Sequence, residues 1–225
     1  MRASLTLIAL TATVGCSSPS YDYSGYKTYD HFPLDGERYW NYQSANQDYL
    51  MDVRIDSEES VGNTAVRTLR YENANLASVL YWIKWSSDSG NGVQIHGYMV
   101  EETSSVDPED GTDTGDAGTD AVVGTWVNFD PPIAITDHQM TPGETLETAG
   151  GDATYTSTFA AVETCDNNWA DTSWECLKIV IESDEADPPP FVGTWHWATE
   201  FGTSLFQPAG ATSPWILTDY EWARG

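Results

Sequence analysis

Apolar and polar residues alternate along several stretches of this chain, and a period of two is typical of β-strands that bury one face. In residues 48–56, every second residue from Tyr49 to Ile55 is apolar, while the other face is largely charged. Residues 76–86 are apolar and rich in β-branched and aromatic side chains, and a Gly- and Asn-containing sequence follows at 88–92. That combination predicts a central strand followed by a turn.

The same features predict further strands along the chain. Residues 57–63 are predicted to link the strand at 48–56 to the next strand, at 64–71. Outside residues 1–15, no stretch shows the 3.6-residue periodicity of a helix. The sequence therefore predicts an all-β fold, an antiparallel curved sheet or partial barrel. The additional strand candidates are 64–71, 93–101, 123–129, 153–163, 174–183, 191–199 and 215–223.

Residues 104–121 interrupt this pattern. Positions 107–120 contain six acidic residues and three glycines and almost nothing apolar. Such a composition cannot form a packed core and predicts a disordered acidic insertion. It is either a loop within one β domain, 31–225, or a linker between two subdomains, 31–103 and 122–225.

Residues 1–15 have the features of an export signal: one positive charge at Arg2, a short apolar run, and small residues before Cys16. The run is too short to span a hydrocarbon core of about 30 Å as a helix. The sequence Thr13-Val14-Gly15-Cys16 resembles a bacterial lipobox, in which signal peptidase cuts before a lipid-bearing cysteine. Lipoboxes prefer Leu where this chain has Thr13. Ser17 resembles a residue that permits sorting to the outer membrane.

The resemblance implies that residues 1–15 are a lipoprotein signal peptide and that Cys16 carries the lipid, palmitate included. Residues 16–30 are polar and aromatic without apolar periodicity, which indicates a flexible tether. The expected location is the cell envelope, as an outer-membrane lipoprotein facing the periplasm or the surface. The expected partners are the membrane, through Cys16, and envelope or surface proteins that the sequence does not name.

The net charge of −26 comes from thirty-five acidic and nine basic residues, and the imbalance grows along the chain. Residues 101–225 hold two cations, Lys178 and Arg224, against twenty-four acidic residues. Such a surface repels phosphate backbones, so nucleic-acid binding is excluded. It indicates either solubility in a salty or cation-rich medium or the binding of divalent cations.

With Cys16 assigned to the lipid, Cys165 and Cys176 form an even pair in an oxidising compartment, which predicts a disulfide. The two cysteines flank a loop between the predicted strands 153–163 and 174–183, so a hairpin could bring them within reach of each other. A zinc site would need nearby histidines, and the four histidines are scattered along the sequence.

The residues Phe32-Pro33-Leu34, Gly36, Trp40 and Tyr42 resemble the Phe-Pro-Leu…Gly…Trp-x-Tyr opening of a group of poorly characterised bacterial lipoproteins. In that group the motif leads into the first strand of a curved antiparallel sheet. Residues 129–133, 140–144 and 195–222 resemble further segments of the group. The resemblance implies a fold but no activity, because the function of the group is unknown. Physically, Pro33 and Gly36 shape a turn, and Trp40 and Tyr42 are expected to point into the core.

Two binding hypotheses remain from the motifs. Asp110, Asp113, Asp116 and Asp120 are oxygen donors on a glycine-spaced segment, as calcium requires, although they do not match the EF-hand pattern. Gly124-Thr125-Trp126 recurs as Gly193-Thr194-Trp195, and a Gly-x-Trp at a strand start resembles the lipocalin signature. That resemblance implies an apolar ligand cavity with Trp126 and Trp195 in its walls.

No catalytic motif is present: there is no nucleophile elbow, no His-Glu-x-x-His and no phosphate-binding loop. We therefore expect no catalytic residues and no cofactor, calcium apart. The sequence favours a membrane-anchored lipoprotein of structural or interaction type. The alternative is a binding protein that holds a small apolar ligand in a lipocalin-like cavity, with or without calcium.

Overall fold

The computed structural model describes residues 25–45, 49–76, 78–100, 124–166 and 173–223. These residues form fourteen β-strands and one 3-10 turn, Thr28–His31, and contain no α-helix. No helix in the described ranges has the length and apolarity needed to cross a membrane. The strands are β1 (Tyr26–Lys27), β2 (Glu37–Ser44), β3 (Leu50–Val61), β4 (Thr64–Asn73), β5 (Ser78–Asp88), β6 (Gly92–Val100), β7 (Val127–Thr136), β8 (Gln139–Met140), β9 (Thr145–Gly150), β10 (Ala153–Asp166), β11 (Ser173–Ser183), β12 (Gly193–Ala198), β13 (Gly202–Pro208) and β14 (Trp215–Ala223).

Twelve of the strands form one antiparallel sheet in the order β7-β6-β5-β4-β3-β2-β14-β13-β12-β11-β10-β9, and β1 pairs with β8 separately. The sheet curls until its two edges meet, so it is nearly closed into a barrel. At the seam, the Ser157 hydroxyl of β10 donates a hydrogen bond of 2.6 Å to the carbonyl of Ile135 in β7. The predicted all-β antiparallel curved sheet is therefore confirmed.

The first and last long strands, β2 and β14, are hydrogen-bonded neighbours, so one sheet contains strands from both halves of the chain. The acidic insertion predicted at 104–121 lies outside the described residues. The two alternatives, a loop within one β domain and a linker between subdomains 31–103 and 122–225, therefore both stay predictions.

The structure corrects the predicted link at 57–63. Strand β3 continues to Val61, and only Gly62 and Asn63 turn the chain into β4. Gly62 has φ of +62°, a conformation that favours glycine. Most side chains of β3 beyond Asp56 are exposed, so the alternation that identifies a half-buried strand is absent there.

The barrel interior is filled by apolar side chains, in which aromatic rings predominate. The predicted core residues Trp40 and Tyr42 are each only 3% exposed. The Trp195 and Phe206 rings stack with centroids 3.7 Å apart, and Trp85 meets Trp195 edge to face. The largest fully buried side chains include Trp85, Trp195, Trp197, Tyr155, Phe159, Phe191 and Phe206.

Two segments close the two ends of the barrel. At one end, which we call the mouth, residues 28–36 cover the opening and place Phe32 between Trp85 and Trp197, each at a centroid distance of 4.8 Å. At the other end, which we call the opposite end, residues 184–192 cover the opening and bury Phe191 completely.

The predicted disulfide between Cys165 and Cys176 is confirmed, with a Cα–Cα distance of 5.8 Å. The two cysteines lie on neighbouring strands, β10 and β11, where Cys165 is opposite Trp174 and Cys176 is opposite Glu163. The bridge is therefore diagonal across the hairpin. It lies near the mouth, and the Ser204 hydroxyl contacts both sulfur atoms at 3.2 and 3.3 Å.

Candidate binding site at the barrel mouth

The segment that covers the mouth, residues 28–36, is attached to the barrel on two sides. On one side, Thr28 is completely buried and its hydroxyl donates to the carbonyl of Asp137 at 2.6 Å. The Thr136 hydroxyl in turn donates to Thr28 at 2.8 Å. These bonds join the 3-10 turn to the end of β7, next to the pairing of β1 with β8.

On the other side, Arg38 binds the covering segment to the sheet. Its side chain is 3% exposed, and its guanidinium donates to the carbonyl and carboxylate of Asp35, at 2.8 and 2.5 Å. It also donates to the Glu200 carbonyl at 2.8 Å and to the hydroxyl of Tyr220. One arginine therefore joins β2, the covering segment and the turn between β12 and β13, which satisfies its buried N–H groups.

Arg67 makes a second attachment from β4. Its guanidinium donates to the carbonyl of Leu34 and forms an ion pair with Glu58, with an N–O distance of 2.7 Å. Leu34 itself is buried. The Phe-Pro-Leu motif is therefore held by apolar packing below and by two arginines at its sides.

Between this segment and the strands lies a cavity of about 580 Å³. That volume is within the range of small-molecule sites, and barrel mouths are a common location for them. We call it the mouth cavity. Its lining residues are Tyr29, Asp30, Pro33, Leu34, Asp35, Arg38, Ala65, Arg67, Ser87, Thr199 and Glu200.

The charges around the mouth cavity are unequal. Arg38 is paired with Asp35, and Arg67 is paired with Glu58. Among the described residues, the carboxylates of Asp30 and Glu200 have no ion-pair partner. Both side chains are exposed, and the cavity is therefore acidic although two arginines line it.

Glu200 is the only non-glycine residue of the described chain with positive φ, at +71°. Its backbone is fixed on both sides: its N–H donates to the Asp30 carbonyl at 3.4 Å, and its carbonyl accepts from Arg38. Left-handed backbone is unfavourable for residues with a Cβ and concentrates at functional positions. The turn therefore places a carboxylate at the cavity where glycine would be the less strained residue.

The ion pair also changes the ionisation of Asp35. Partial burial works to raise the pKa of its carboxyl, but the hydrogen bond and charge of Arg38, with a contribution from Arg67, outweigh burial and lower the pKa below its ordinary value. The lowered pKa favours the ionised carboxylate, which is the form that pairs with Arg38.

Of the site residues predicted from the sequence, Cys165 and Cys176 are joined in the disulfide described above. Cys16 and the calcium candidates Asp110, Asp113, Asp116 and Asp120 lie outside the described residues. Within the described ranges, no group of three or more His, Cys, Asp or Glu side chains could hold a metal ion.

The two tryptophans of the predicted ligand cavity belong to different clusters. Trp195 is 1% exposed in the large interior core. Trp126 packs in a small separate cluster with Val79, Trp82 and Met99, and the Lys84 ammonium lies 4.6 Å from its ring centroid. The free space in the interior beside Trp195 amounts to about 10 Å³, which is about what one water molecule needs.

Sequence reasoning did not identify the residues of the mouth cavity. Arg38 and Glu200 are 162 positions apart, and only the folded sheet makes them neighbours. One signal was available in the sequence: Arg38 follows the Phe-Pro-Leu motif by four residues, in a chain that has only nine lysines and arginines.

No protein-family model matches this chain, and no curated protein matches it. Two solved structures are similar. One is a predicted lipoprotein from Parabacteroides distasonis ATCC 8503, with a TM-score of 0.40 and 9% identity, covering 85% of this chain and 98% of that chain. The other is a predicted exported protein with a YmcC-like fold from Bacteroides fragilis NCTC 9343, with a TM-score of 0.37 and 12% identity, covering 84% of this chain and 98% of that chain. Likeness at this level assigns no residue or activity to this chain.

Proposed function

We propose that this chain is a lipid-anchored protein of the cell envelope whose β domain acts as a non-catalytic interaction module. The observation that carries the location is the buried Cys165–Cys176 disulfide. Disulfides form and persist in oxidising compartments outside the cytoplasm. An export signal over residues 1–15, cut before Cys16, would deliver the chain to such a compartment, so the leader and the disulfide support the same location.

The packed interior supports the interaction role. The free space beside Trp195 is about 10 Å³, which is too small for a ligand of the size that lipocalin-like cavities hold. Partners therefore meet the outer surface or the mouth. No feature of the described residues favours the alternative of an apolar ligand or of calcium.

The anchor is tested by Cys16→Ser in cells fed labelled palmitate. We expect the parent to carry the label and to sediment with membranes, and the variant to lose both properties. The matched control is the double variant Cys165→Ser, Cys176→Ser, which removes two cysteines and keeps the lipobox. Labelling of Cys16→Ser at the parent level would refute the lipoprotein assignment.

The side of the membrane is a separate question. Separation of inner and outer membranes on a density gradient should place the parent in the outer-membrane fraction. Protease added to intact cells then distinguishes the two orientations: a surface-facing domain is cut, and a periplasmic domain is cut only after the outer membrane is permeabilised.

A further inference from the structure

We propose that the mouth cavity binds an organic cation, an alkylammonium or guanidinium group. The group could belong to a free polyamine or to a basic side chain of a partner protein. This inference names the chemistry of a partner and rests on the proposed interaction role, but it does not depend on the lipid anchor.

The charges around the cavity support a cation. The guanidinium groups of Arg38 and Arg67 donate to protein carbonyl and carboxylate oxygens, so they are already occupied. The carboxylates of Asp30 and Glu200 have no ion-pair partner among the described residues and line the same space. An anionic ligand would be repelled by two uncompensated negative charges, whereas an ammonium or guanidinium group would be attracted by them.

The walls suit a cation that carries an apolar stem. Tyr29 supplies an aromatic ring, whose face attracts cations, and Pro33, Leu34 and Ala65 supply apolar surface. The stems of lysine, arginine and polyamines are chains of methylene groups, which pack on apolar surface while the charged end stays polar. The cavity of about 580 Å³ is large enough for one such group.

Hydrogen bonds on both sides fix the backbone of Glu200 at the cavity. Its left-handed backbone is held by the Arg38 guanidinium on its carbonyl and by the Asp30 carbonyl on its N–H. The same arginine that fixes the covering segment therefore also fixes the backbone of the proposed ligand-binding carboxylate. Pre-positioned groups lose less conformational freedom on binding.

The test is isothermal titration of the full-length protein in neutral detergent at pH 7.5 and low salt, with spermidine, with a tri-arginine peptide, and with inorganic phosphate. We expect one cation site per chain and no binding of phosphate. Binding of spermidine alone identifies a free polyamine as the ligand, and binding of the peptide alone identifies a basic segment of a protein.

The variants separate a site from the general acidity of the chain. Asp30→Asn combined with Glu200→Gln should weaken cation binding at least tenfold. The matched control, Asp152→Asn combined with Asp187→Asn, removes the same charge from exposed positions at the opposite end and should change the affinity less than twofold.

Equal weakening by the two double variants would overturn the proposal, because the chain would then attract cations only through its net charge. Absence of cation binding by the parent would overturn it as well. Cys16→Ser should bind like the parent, so failure of the anchor and failure of the cation site give different results.

Discussion

The two ends of this barrel are closed by different chemistry. At the opposite end, Phe191 is completely buried against the rings of Tyr98, Phe129 and Tyr155, at centroid distances from 5.5 to 6.1 Å. Hydrogen bonds hold the segment there as well: the Thr154 N–H donates to the Asp184 carboxylate and the Trp195 indole N–H donates to the Phe191 carbonyl, each at 2.9 Å. At the mouth, Phe32 is buried in the same way, but there the donors that hold the segment include the guanidinium groups of two arginines, Arg38 and Arg67.

The difference has a structural consequence. Aromatic rings close an opening by filling it, because apolar contacts gain only when no space is left. Hydrogen bonds and ion pairs are directional and hold a segment at a fixed distance from the wall. The polar closure at the mouth therefore coexists with a cavity of about 580 Å³ beside it.

The largest effect on stability is expected at Phe32 and Phe191, the buried rings that both ends have in common. Phe191→Ala and Phe32→Ala should each lower the free energy of unfolding by about 4 kcal/mol, since each removes a buried ring and leaves a hole. Urea unfolding followed by tryptophan fluorescence measures it. The exposed Tyr49, truncated to Ala, should change stability by less than about 0.5 kcal/mol.

A loss below about 1.5 kcal/mol for Phe191→Ala would break the comparison, because the segment 184–192 would then not close the opposite end. Phe32→Ala has a second expected outcome. Because Phe32 supports the segment that forms one wall of the mouth cavity, it should weaken cation binding, whereas Phe191→Ala should not.

Arg38 tests the polar closure. Arg38→Met should lower the free energy of unfolding by about 3 kcal/mol, because it leaves buried carbonyls and the Asp35 carboxylate without their donor. Arg54→Met is the matched control: Arg54 is 45% exposed and its ion pair with Glu72 spans 3.6 Å, so we expect less than about 1 kcal/mol. Equal losses in the two variants would show that Arg38 does not hold the mouth together.

These contacts show how much of the fold could be predicted from the sequence. The half-buried strands were predictable because alternation leaves a local signal, and Trp40 and Tyr42 lie in the core as expected. Strand β13 gave no such signal, because Thr203 and Ser204 are polar residues that lie buried. Strand β9 was missed because it is short and none of its residues before Gly150 is buried.

The candidate site was not predictable from local patterns. Its residues come from four separate stretches of the chain, 29–38, 65–67, 87 and 199–200, and each is an ordinary residue in its own segment. The two motif-based site hypotheses relied on short-range spacing, and the described residues place Trp126 and Trp195 in different clusters. A site assembled by long-range sheet pairing leaves no spacing to recognise in one sequence.

The disulfide is a covalent cross-link near the mouth, and the described residues contain no such cross-link at the opposite end. Replacement of Cys165 and Cys176 together by Ser should cost about 2–3 kcal/mol, since the bridge closes a short loop in the unfolded chain. Thermal unfolding of the parent with and without reductant measures the same effect. An unchanged melting temperature on complete reduction, shown by thiol alkylation, would contradict this expectation.

Glu200 separates stability from binding at the mouth. Glu200→Gly should raise the free energy of unfolding by about 1 kcal/mol, because glycine adopts φ of +71° without the penalty that a Cβ brings. The same variant loses a carboxylate from the mouth cavity and should bind cations more weakly. Glu200→Gln is the control that removes the charge and keeps the strain. If Glu200→Gly is less stable than the parent, the side chain of Glu200 makes a structural contribution that outweighs the backbone strain.

The smallest expected effect is the dependence of the mouth on pH. The pKa of Asp35 is lowered in the folded state, so its ion pair with Arg38 contributes stability above the pKa of the unfolded chain, near 4, and loses it as pH falls through the folded pKa. Asp35 is 69% exposed, and solvent screening limits the contribution to about 0.5 kcal/mol. Asp35→Asn should therefore be less stable than the parent at pH 7 by about that amount, and the difference should shrink below pH 4. In the Arg38→Met background the difference should be smaller, because the main cation that lowers the pKa is gone and only the weaker contribution of Arg67 remains. A difference that persists unchanged in that background would mean that Asp35 stabilises the covering segment through contacts other than this ion pair.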